Sequence, residues 1–321
     1  MRISVIGSGH LGSIHAKLLA QNPNVTLVGI VDPDECKGTS VASEHGATWY
    51  ATVESMPEVD AVVIAAPTLH HHALALACLD RGLHCFIEKP VTATFAEAED
   101  LMRRAATTDC VIQVGHVERF NPAIRSLAAF KLQPLFIEAH RLAPFKPRAI
   151  DVSVIHDLMI HDIDLLLWMT GSEVVDIQAT GVAVLTQTPD ICNARLTFAN
   201  GCVANVTASR ISAKPMRKLR VFQRDSYVSL DLASGAVELY RLMENSALEL
   251  SHQVPLGTVN TEHGDRVIVY DTPTVESINA IAEEQRSFLE SIRTQSRAAV
   301  TLHDGAHAVR IAEWIDRLVR T

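Results

Sequence analysis

Residues 2–12 read RISVIGSGHLG and decide the fold of the first part of the chain. The apolar run at residues 2–6 predicts a short buried strand, and the stretch HLGSIHAKLLAQ at residues 10–21 predicts a helix directly after it. A second apolar run, VTLVGIV at residues 25–31, predicts the next strand. A strand, a helix and a second strand in this order form a βαβ unit, in which the two strands run parallel.

The same alternation continues to residue 115. Apolar runs at residues 61–66, 84–88 and 110–115 predict three more strands, with helical stretches between them. Continuous apolar strands that alternate with helices are typical of a parallel sheet covered on both faces. The sequence therefore predicts an α/β protein whose first domain is a doubly wound Rossmann sheet.

The turn after the first strand carries the pattern GxGxxG, formed by Gly7, Gly9 and Gly12. Asp32 stands at the end of the second predicted strand, 20 residues after Gly12. In this context the pattern predicts a dinucleotide site, because the glycines allow a tight turn, close approach of the pyrophosphate and close helix packing. The acidic residue binds the ribose hydroxyls, and the segment VDPDE has no arginine for a 2′-phosphate, so NAD is favoured over NADP.

The residues that follow each strand should meet at one edge of the sheet, since ligands of doubly wound sheets bind outside the carboxyl ends of the strands. Lys89 is the most informative of them, because a lysine partly removed from water at this edge suits proton transfer or polarisation of a substrate oxygen. The residues predicted to bind the cofactor are Gly7, Gly9, His10, Leu11, Gly12, Asp32, Pro67, Thr68, His71, Glu88 and Lys89.

The pattern changes after residue 120. Strand-like runs follow in quick succession between residues 174 and 243, and Asn200 and Gly201 between two of them are typical of a hairpin. Strands without intervening helices indicate an antiparallel sheet. We therefore predict a Rossmann domain at residues 1–120 and a second α/β domain at residues 121–321, which binds substrate and makes subunit contacts.

A polar stripe crosses an otherwise apolar helical stretch, VIHDLMIHDIDLL, at residues 154–166. His156 and His161 point about 140° apart on a helical wheel, so they cannot readily share a metal ion. The wheel predicts an acid/base stripe and no catalytic metal, and it leaves His156 and Asp162 in structural roles. The stripe contains Asp157, His161, Asp164 and Trp168.

Four motifs together resemble the Gfo/Idh/MocA family of nicotinamide-dependent oxidoreductases: GxGxxG, APTLHH at residues 66–71, EKP at residues 88–90 and DxxxH at residues 157–161. The resemblance implies a Rossmann domain followed by an α/β domain with a large, open, mainly antiparallel sheet. It also implies that Lys89, Asp157 and His161 lie near the nicotinamide, that the peptide bond before Pro90 is cis, and that the protein is a homodimer or homotetramer through the second sheet.

Two further segments, GHVERFNPA at residues 115–123 and IDVSVIHD at residues 150–157, resemble the branch that contains UDP-N-acetylglucosamine 3-dehydrogenases. Enzymes of this branch oxidise the C3 hydroxyl of the sugar before an aminotransferase installs nitrogen. A UDP-sugar brings a diphosphate, which basic residues would bind, although a solvated basic loop explains the same charges. The candidates for substrate contact are Arg119, Asn121, Arg141, Lys146 and Arg148.

For this reaction the resemblance predicts three catalytic residues. His161 is the preferred base, Lys89 stabilises negative charge on the reacting oxygen, and Asp157 orients His161 or contacts the sugar. Lys89 and His161 could exchange roles. Two other functions stay open, namely an NAD(P)-dependent dehydrogenase of a free cyclitol or monosaccharide, and a non-catalytic dinucleotide-sensing regulator.

Charge and composition exclude other classes. The formal net charge of −9 argues against a nucleic-acid partner, and no apolar run is long enough for a membrane span. The chain begins MRISVIG without the pattern of a signal peptide, so we expect a cytoplasmic protein. Its six cysteines lack CxxC spacing, which favours reduced thiols.

Overall fold

A computed structural model describes residues 1–146, 152–244, 253–262 and 264–320. The chain divides into two compact units, here called the first unit (Met1–Val117 and Asn279–Arg310) and the second unit (Glu118–Ile278 and Ile311–Thr321). The first division falls close to the boundary expected after residue 120. Residues 279–310 differ from the expectation, because they belong to the first unit although the sequence pattern assigned them to the second.

The first unit is a parallel sheet with helices, as the sequence predicts. Among the described residues its strands are β1 (Arg2–Ile6), β2 (Thr26–Val31), β3 (Thr48–Tyr50), β4 (Ala61–Ile64), β5 (His84–Glu88) and β6 (Ile112–Gly115). Its helices are α1 (His10–Ala20), α2 (Glu35–Glu44), α3 (His71–Asp80), α4 (Phe95–Ala105) and α7 (Ala280–Thr294), together with the first part of α8 (Leu302–Arg320). The strand order is β3-β2-β1-β4-β5-β6, and every neighbouring pair is parallel.

Burial explains why these strands form the centre of the first unit. All four residues of β4 are buried, as are four of the five residues of β1 and of β5. Such continuous burial is the mark of a strand covered on both faces. Phe288 of α7 belongs to the same hydrophobic cluster as Phe86 of β5, which explains why this late helix lies in the first unit.

The second unit is built on a large mixed sheet. Among the described residues its strands are β7 (Phe136–Leu142), β8 (Val174–Val182), β9 (Ile191–Phe198), β10 (Val203–Ser209), β11 (Met216–Gln223), β12 (Ser226–Asp231), β13 (Ala236–Met243), β14 (Gln253–Thr261) and β15 (Gly264–Asp271). Their order is β14-β15-β13-β12-β11-β7-β10-β9-β8, with β7 and β10 parallel and the other neighbours antiparallel. Among the described residues its helices are α5 (Pro122–Arg125), α6 (Ile160–Thr170) and the second part of α8. Helix α6 follows a π-helical turn at Ile155–Met159.

One face of this sheet is buried and the other is more open. Burial alternates along β7, β9 and β10, which is the pattern of a sheet with one covered face. Helix α6 packs against β7 and β10. The predicted hairpin at Asn200 and Gly201 is confirmed, since β9 and β10 pair antiparallel around it and Gly201 has a φ of +86°.

Within the described residues, no helix has the length and apolar character needed to cross a membrane.

Candidate active site

The glycine turn between β1 and α1 has the geometry that the sequence motif predicts. Gly7 has a φ of +99°, and a Cβ there would lie 2.7 Å from the backbone nitrogen of Ala66. A Cβ on Gly12 would lie 1.9 Å from the carbonyl oxygen of Gly7, so the turn and the helix approach too closely for any side chain. Helix α1 begins at His10 without a side-chain cap. Its first N–H groups therefore suit a phosphate.

Asp32 is tied to this turn by Ser8. One carboxylate oxygen of Asp32 accepts hydrogen bonds from the backbone nitrogen and the hydroxyl of Ser8, both at 2.7 Å, and the other accepts from the backbone nitrogen of Asp34 at 2.9 Å. The negative charge is thus fixed beside the pyrophosphate turn, where it suits ribose hydroxyls and opposes a 2′-phosphate. Ser8 occupies the first variable position of GxGxxG, but only the structure reveals its bonds to Asp32.

His71 links two of the strand ends. Its Nε2 lies 2.8 Å from the carbonyl oxygen of Ala66, and its Nδ1 lies 2.8 Å from that of Pro90. Burial lowers the pKa of His71, while the two carbonyl contacts oppose this shift. The ring is only 1% exposed and holds the end of β4 against the EKP turn. The structure therefore gives His71 a supporting position, whereas Thr68 begins the short 3₁₀ turn before α3 and Pro67 caps that turn.

The EKP turn follows β5. The Lys89–Pro90 peptide bond is cis, as the family resemblance implies. Glu88 is 7% exposed, and its Oε1 lies 2.8 Å from Nε2 of His15 in α1, a contact that no sequence signal indicated. The backbone nitrogen of Lys89 donates to the other carboxylate oxygen of Glu88 at 3.2 Å. Lys89 itself is half-buried at the carboxyl edge of the sheet.

In the second unit, Asp157 lies in the π-helical turn and His161 in the first turn of α6. The wheel expected a uniform α-helix, but a π turn closes i→i+5 hydrogen bonds and is wider. The angle derived from 3.6 residues per turn is therefore wrong for residues 155–159. Both residues are partly exposed, and π turns occur frequently at functional sites.

Asp164 of the stripe has a charged partner inside the second unit. It is fully buried, and its carboxylate binds Arg119 through two bonds of 2.6 and 2.8 Å. The same guanidinium lies 6.0 Å from the ring centre of Trp168, which is 47% exposed. Among the four residues of the stripe, Asp157 and His161 form the DxxxH motif, and both are partly exposed.

Arg141 is the centre of a buried ion network. Its guanidinium binds both oxygens of Asp162 at 2.9 Å and one oxygen of Glu118 at 2.7 Å. Burial favours the neutral form, but the two carboxylates outweigh it and the pKa of Arg141 lies above its usual value. Asp162 thus has the structural role expected of it, and His156 lies 3.2 Å from the hydroxyl of Ser153.

The five residues proposed to bind the diphosphate therefore do not form a single exposed cluster. Arg119 and Arg141 are bound to buried carboxylates, and Asn121 caps α5 and donates to Glu118. Lys146 is exposed, whereas Arg148 lies outside the described residues. A role in substrate binding stays a prediction for all five. Lys89 lies in the first unit, and Asp157 and His161 in the second; their convergence on one substrate also stays a prediction.

Comparison with known proteins places this site in a family. A family model described as an oxidoreductase family with an NAD-binding Rossmann fold matches residues 1–116, and the GFO/IDH/MocA C-terminal domain matches residues 135–226. A UDP-N-acetylglucosamine 3-dehydrogenase from Acidithiobacillus ferrooxidans is 43% identical over 243 residues, which cover 75% of this chain and 77% of that protein. The NAD-dependent scyllo-inositol 2-dehydrogenase of Bacillus subtilis is 29% identical over 66% of this chain and 68% of its own length.

Solved structures agree with these matches. A structure of the Acidithiobacillus ferrooxidans UDP-N-acetylglucosamine 3-dehydrogenase covers 99% of this chain and 97% of its own, with a TM-score of 0.89 and 37% identity. A scyllo-inositol dehydrogenase from Lactobacillus casei, solved with NAD(H) and scyllo-inositol, shares the fold with a TM-score of 0.78 at 20% identity. The glycine turn and Asp32 have the pattern that Rossmann folds use for a dinucleotide. The chain therefore belongs to the Gfo/Idh/MocA family and is an NAD-dependent oxidoreductase.

Proposed function

We propose that the protein oxidises the C3 hydroxyl of UDP-N-acetylglucosamine to a ketone with NAD. The observation that carries this proposal is the 43% identity to a UDP-N-acetylglucosamine 3-dehydrogenase, against 29% to an inositol dehydrogenase. The local motifs support it, because EKP and DxxxH resemble the motifs of the family's dehydrogenases. Such a product would serve a later transamination in amino-sugar or surface-glycan synthesis.

The proposed mechanism separates removal of the proton from removal of the hydride. His161 accepts the proton of the sugar hydroxyl, and the ammonium of Lys89 donates a hydrogen bond to the same oxygen as negative charge develops. Asp157 orients His161 or the sugar. The glycine turn and Asp32 would hold NAD, which would supply the acceptor for the hydride of the sugar carbon. A positioned base contributes about 10² to 10⁴ in rate, or roughly 3 to 5 kcal/mol.

A substrate panel tests this proposal. UDP-N-acetylglucosamine, free N-acetylglucosamine and myo-inositol are each incubated with NAD, and hydroxylamine traps any ketone for mass detection. We expect a trapped ketone from the sugar nucleotide alone. Turnover of myo-inositol with none of the sugar nucleotide would favour the second candidate, a cyclitol dehydrogenase, which the inositol dehydrogenases among the relatives support.

We also propose that the protein forms a homodimer or homotetramer through the open face of the second unit's sheet. Five aromatic rings cross that face from β7 to β15, with neighbouring ring centres 4.9 to 5.8 Å apart. The rings, defined here as the aromatic ladder, belong to Phe136, Phe222, Tyr227, Tyr240 and Tyr270. Phe222 is 36% exposed, and a partly exposed row of aromatic rings is a typical interface surface.

Sedimentation of the wild-type protein and of Phe222→Glu tests the interface. We expect the wild type to be oligomeric and Phe222→Glu to shift toward the monomer, while Arg103→Glu on α4 of the first unit, where the side chain is 70% exposed, serves as the surface control. A monomeric wild type would contradict the proposal. We retain the cytoplasm as the proposed location, which cell fractionation tests.

A further inference from the structure

A buried polar cluster lies behind the EKP turn in the first unit. It consists of His15 from α1, Glu88 from the end of β5, and Glu284 and Gln285 from α7, each at most 7% exposed. One nitrogen of His15 and one carboxylate oxygen from each glutamate lie within 4.8 Å of one another. Two carboxyl groups and an imidazole so close together, away from water, need a defined distribution of protons.

The bonds of Glu88 show where the negative charge lies. One of its oxygens contacts Nε2 of His15 at 2.8 Å, and the other accepts from the backbone nitrogen of Lys89 at 3.2 Å. On the far side of the ring, Nδ1 of His15 lies 2.8 Å from the side-chain amide of Gln285. Glu88 therefore has the partners that an ionised carboxylate needs, and those partners lead directly to Lys89.

Glu284 is in the opposite situation. It is fully buried, and neither of its carboxyl oxygens has a hydrogen-bond partner among the residues that the structure describes. Its backbone carbonyl is held by the side chain of Gln113 at 2.8 Å, so the helix position is fixed. Burial raises the pKa of Glu284 well above its usual value, and the charge of Glu88 adds to that shift. A second negative charge at this point is unfavourable.

We propose that Glu284 is a neutral carboxylic acid that completes the buried pair of His15 and Glu88 and thereby positions Lys89. The inference rests on the proposed function, because it gives Lys89 a catalytic role. Glu284 touches neither cofactor nor substrate in this scheme. It fills the space beside Glu88 without adding charge, so that Glu88 keeps its bonds to His15 and to the Lys89 backbone.

The protonation of Glu284 can be tested without turnover. Infrared difference spectra at pH 8 compare the wild type with Glu284→Gln and with the control Glu290→Gln, whose carboxylate is exposed on the same helix and bound to Arg293. We expect a carboxylic-acid carbonyl band that Glu284→Gln loses and Glu290→Gln keeps. Loss of an ionised-carboxylate band instead, or a stoichiometric divalent metal found by elemental analysis of the purified protein, would overturn the proposal.

The positioning role needs a readout at Lys89. Reductive ¹³C-methylation gives each lysine an NMR signal, and Lys89→Arg assigns the one from Lys89. We expect Glu284→Ala to shift that signal and Glu284→Gln to restore it, because glutamine has nearly the same shape and is neutral. An unmoved signal in a folded Glu284→Ala protein would refute positioning, even if the infrared band is present.

Kinetics add a test that depends on the reaction. With UDP-N-acetylglucosamine and NAD we expect Glu284→Ala to lower kcat by about 10- to 100-fold, as for a small displacement of a catalytic group. The KM for the sugar nucleotide should change little, and Glu284→Gln should recover most of the kcat. Equal losses in both variants would contradict the neutral-acid role. A wild type without turnover would contradict the proposed function alone, since the infrared and NMR results stand independently.

Discussion

Removal of Arg141 tests whether this buried cation of the second unit is structural. The variant Arg141→Met keeps much of the side-chain volume but removes the only charge that binds both Asp162 and Glu118 in the described structure. The side chains of all three residues are at most 6% exposed, so water cannot replace the arginine. Breaking such a buried pair costs about 3 to 5 kcal/mol, because a carboxylate is left without a partner.

For a unit of this size, that loss corresponds to a melting temperature lower by roughly 6 to 20 °C. Thermal and denaturant unfolding measure it. The control is Arg220→Met, since Arg220 forms a 3.4 Å ion pair with Glu138 that is 46% and 30% exposed, and such surface pairs contribute at most about 1 kcal/mol. Adding Asp162→Asn to Arg141→Met should recover part of the stability, because it removes one unpaired charge.

The effect also has a predicted pH dependence. In Arg141→Met, burial raises the pKa of the carboxyl groups that lose the cation, above all Asp162, while Arg217 still lies 3.7 Å from Glu118. The loss of stability is therefore largest at neutral pH and shrinks as the pH falls and these groups take up protons. If Arg141→Met unfolds like the control and instead raises mainly the KM for the sugar nucleotide, Arg141 is a substrate ligand and the structural reasoning is wrong.

Three further perturbations address the cofactor turn and the second unit. Asp32→Asn removes the negative charge that repels the 2′-phosphate of NADP. The kcat/KM for NAD divided by the kcat/KM for NADP should therefore fall by about tenfold or more. An unchanged ratio would show that Asp32 does not select the cofactor. Gly12→Ala should weaken NADH binding in a fluorescence titration by at least about tenfold, because its Cβ would lie 1.9 Å from the Gly7 oxygen; unchanged affinity would mean that the turn adapts. Three backbone N–H groups outweigh burial and lower the pKa of Asp190 to about 2. Its stabilisation is therefore present above about pH 4 and lost toward pH 2, so the difference in melting temperature between wild type and Asp190→Asn should be smaller at pH 3 than at pH 7.

The first unit could be predicted from the sequence because its signals are local. Each buried strand is a continuous apolar run, and the glycine turn needs a residue type that only a few positions provide. β3 was not predicted, because Thr48–Tyr50 is only three residues long and has no apolar run. The assignment of α7 to the first unit has no local signal, since it depends on packing of Phe288 against Phe86, two residues far apart in the chain.

The polar residues of the second unit show the same limit. Arg141 and Asp162 are 21 residues apart, and sequence spacing does not predict that they form an ion pair inside the unit. From the sequence alone, a basic residue near a suspected substrate site suggests substrate binding. The structure shows instead that Arg141 has buried carboxylate partners. The π turn at Ile155–Met159 is likewise invisible to a wheel that assumes 3.6 residues per turn. The DxxxH motif spans this turn, with Asp157 inside it and His161 in the first turn of α6, both partly exposed.

Isotope transfer tests the proposed reaction most directly. UDP-N-acetylglucosamine deuterated at C3 is incubated with NAD, and the reduced cofactor is analysed by mass spectrometry together with the product trapped as an oxime. We expect one deuterium in the NADH and none at C3 of the trapped ketone, with Lys89→Met and His161→Ala each forming product far more slowly than wild type. NADH without deuterium, or a ketone that retains the label, would contradict oxidation at C3.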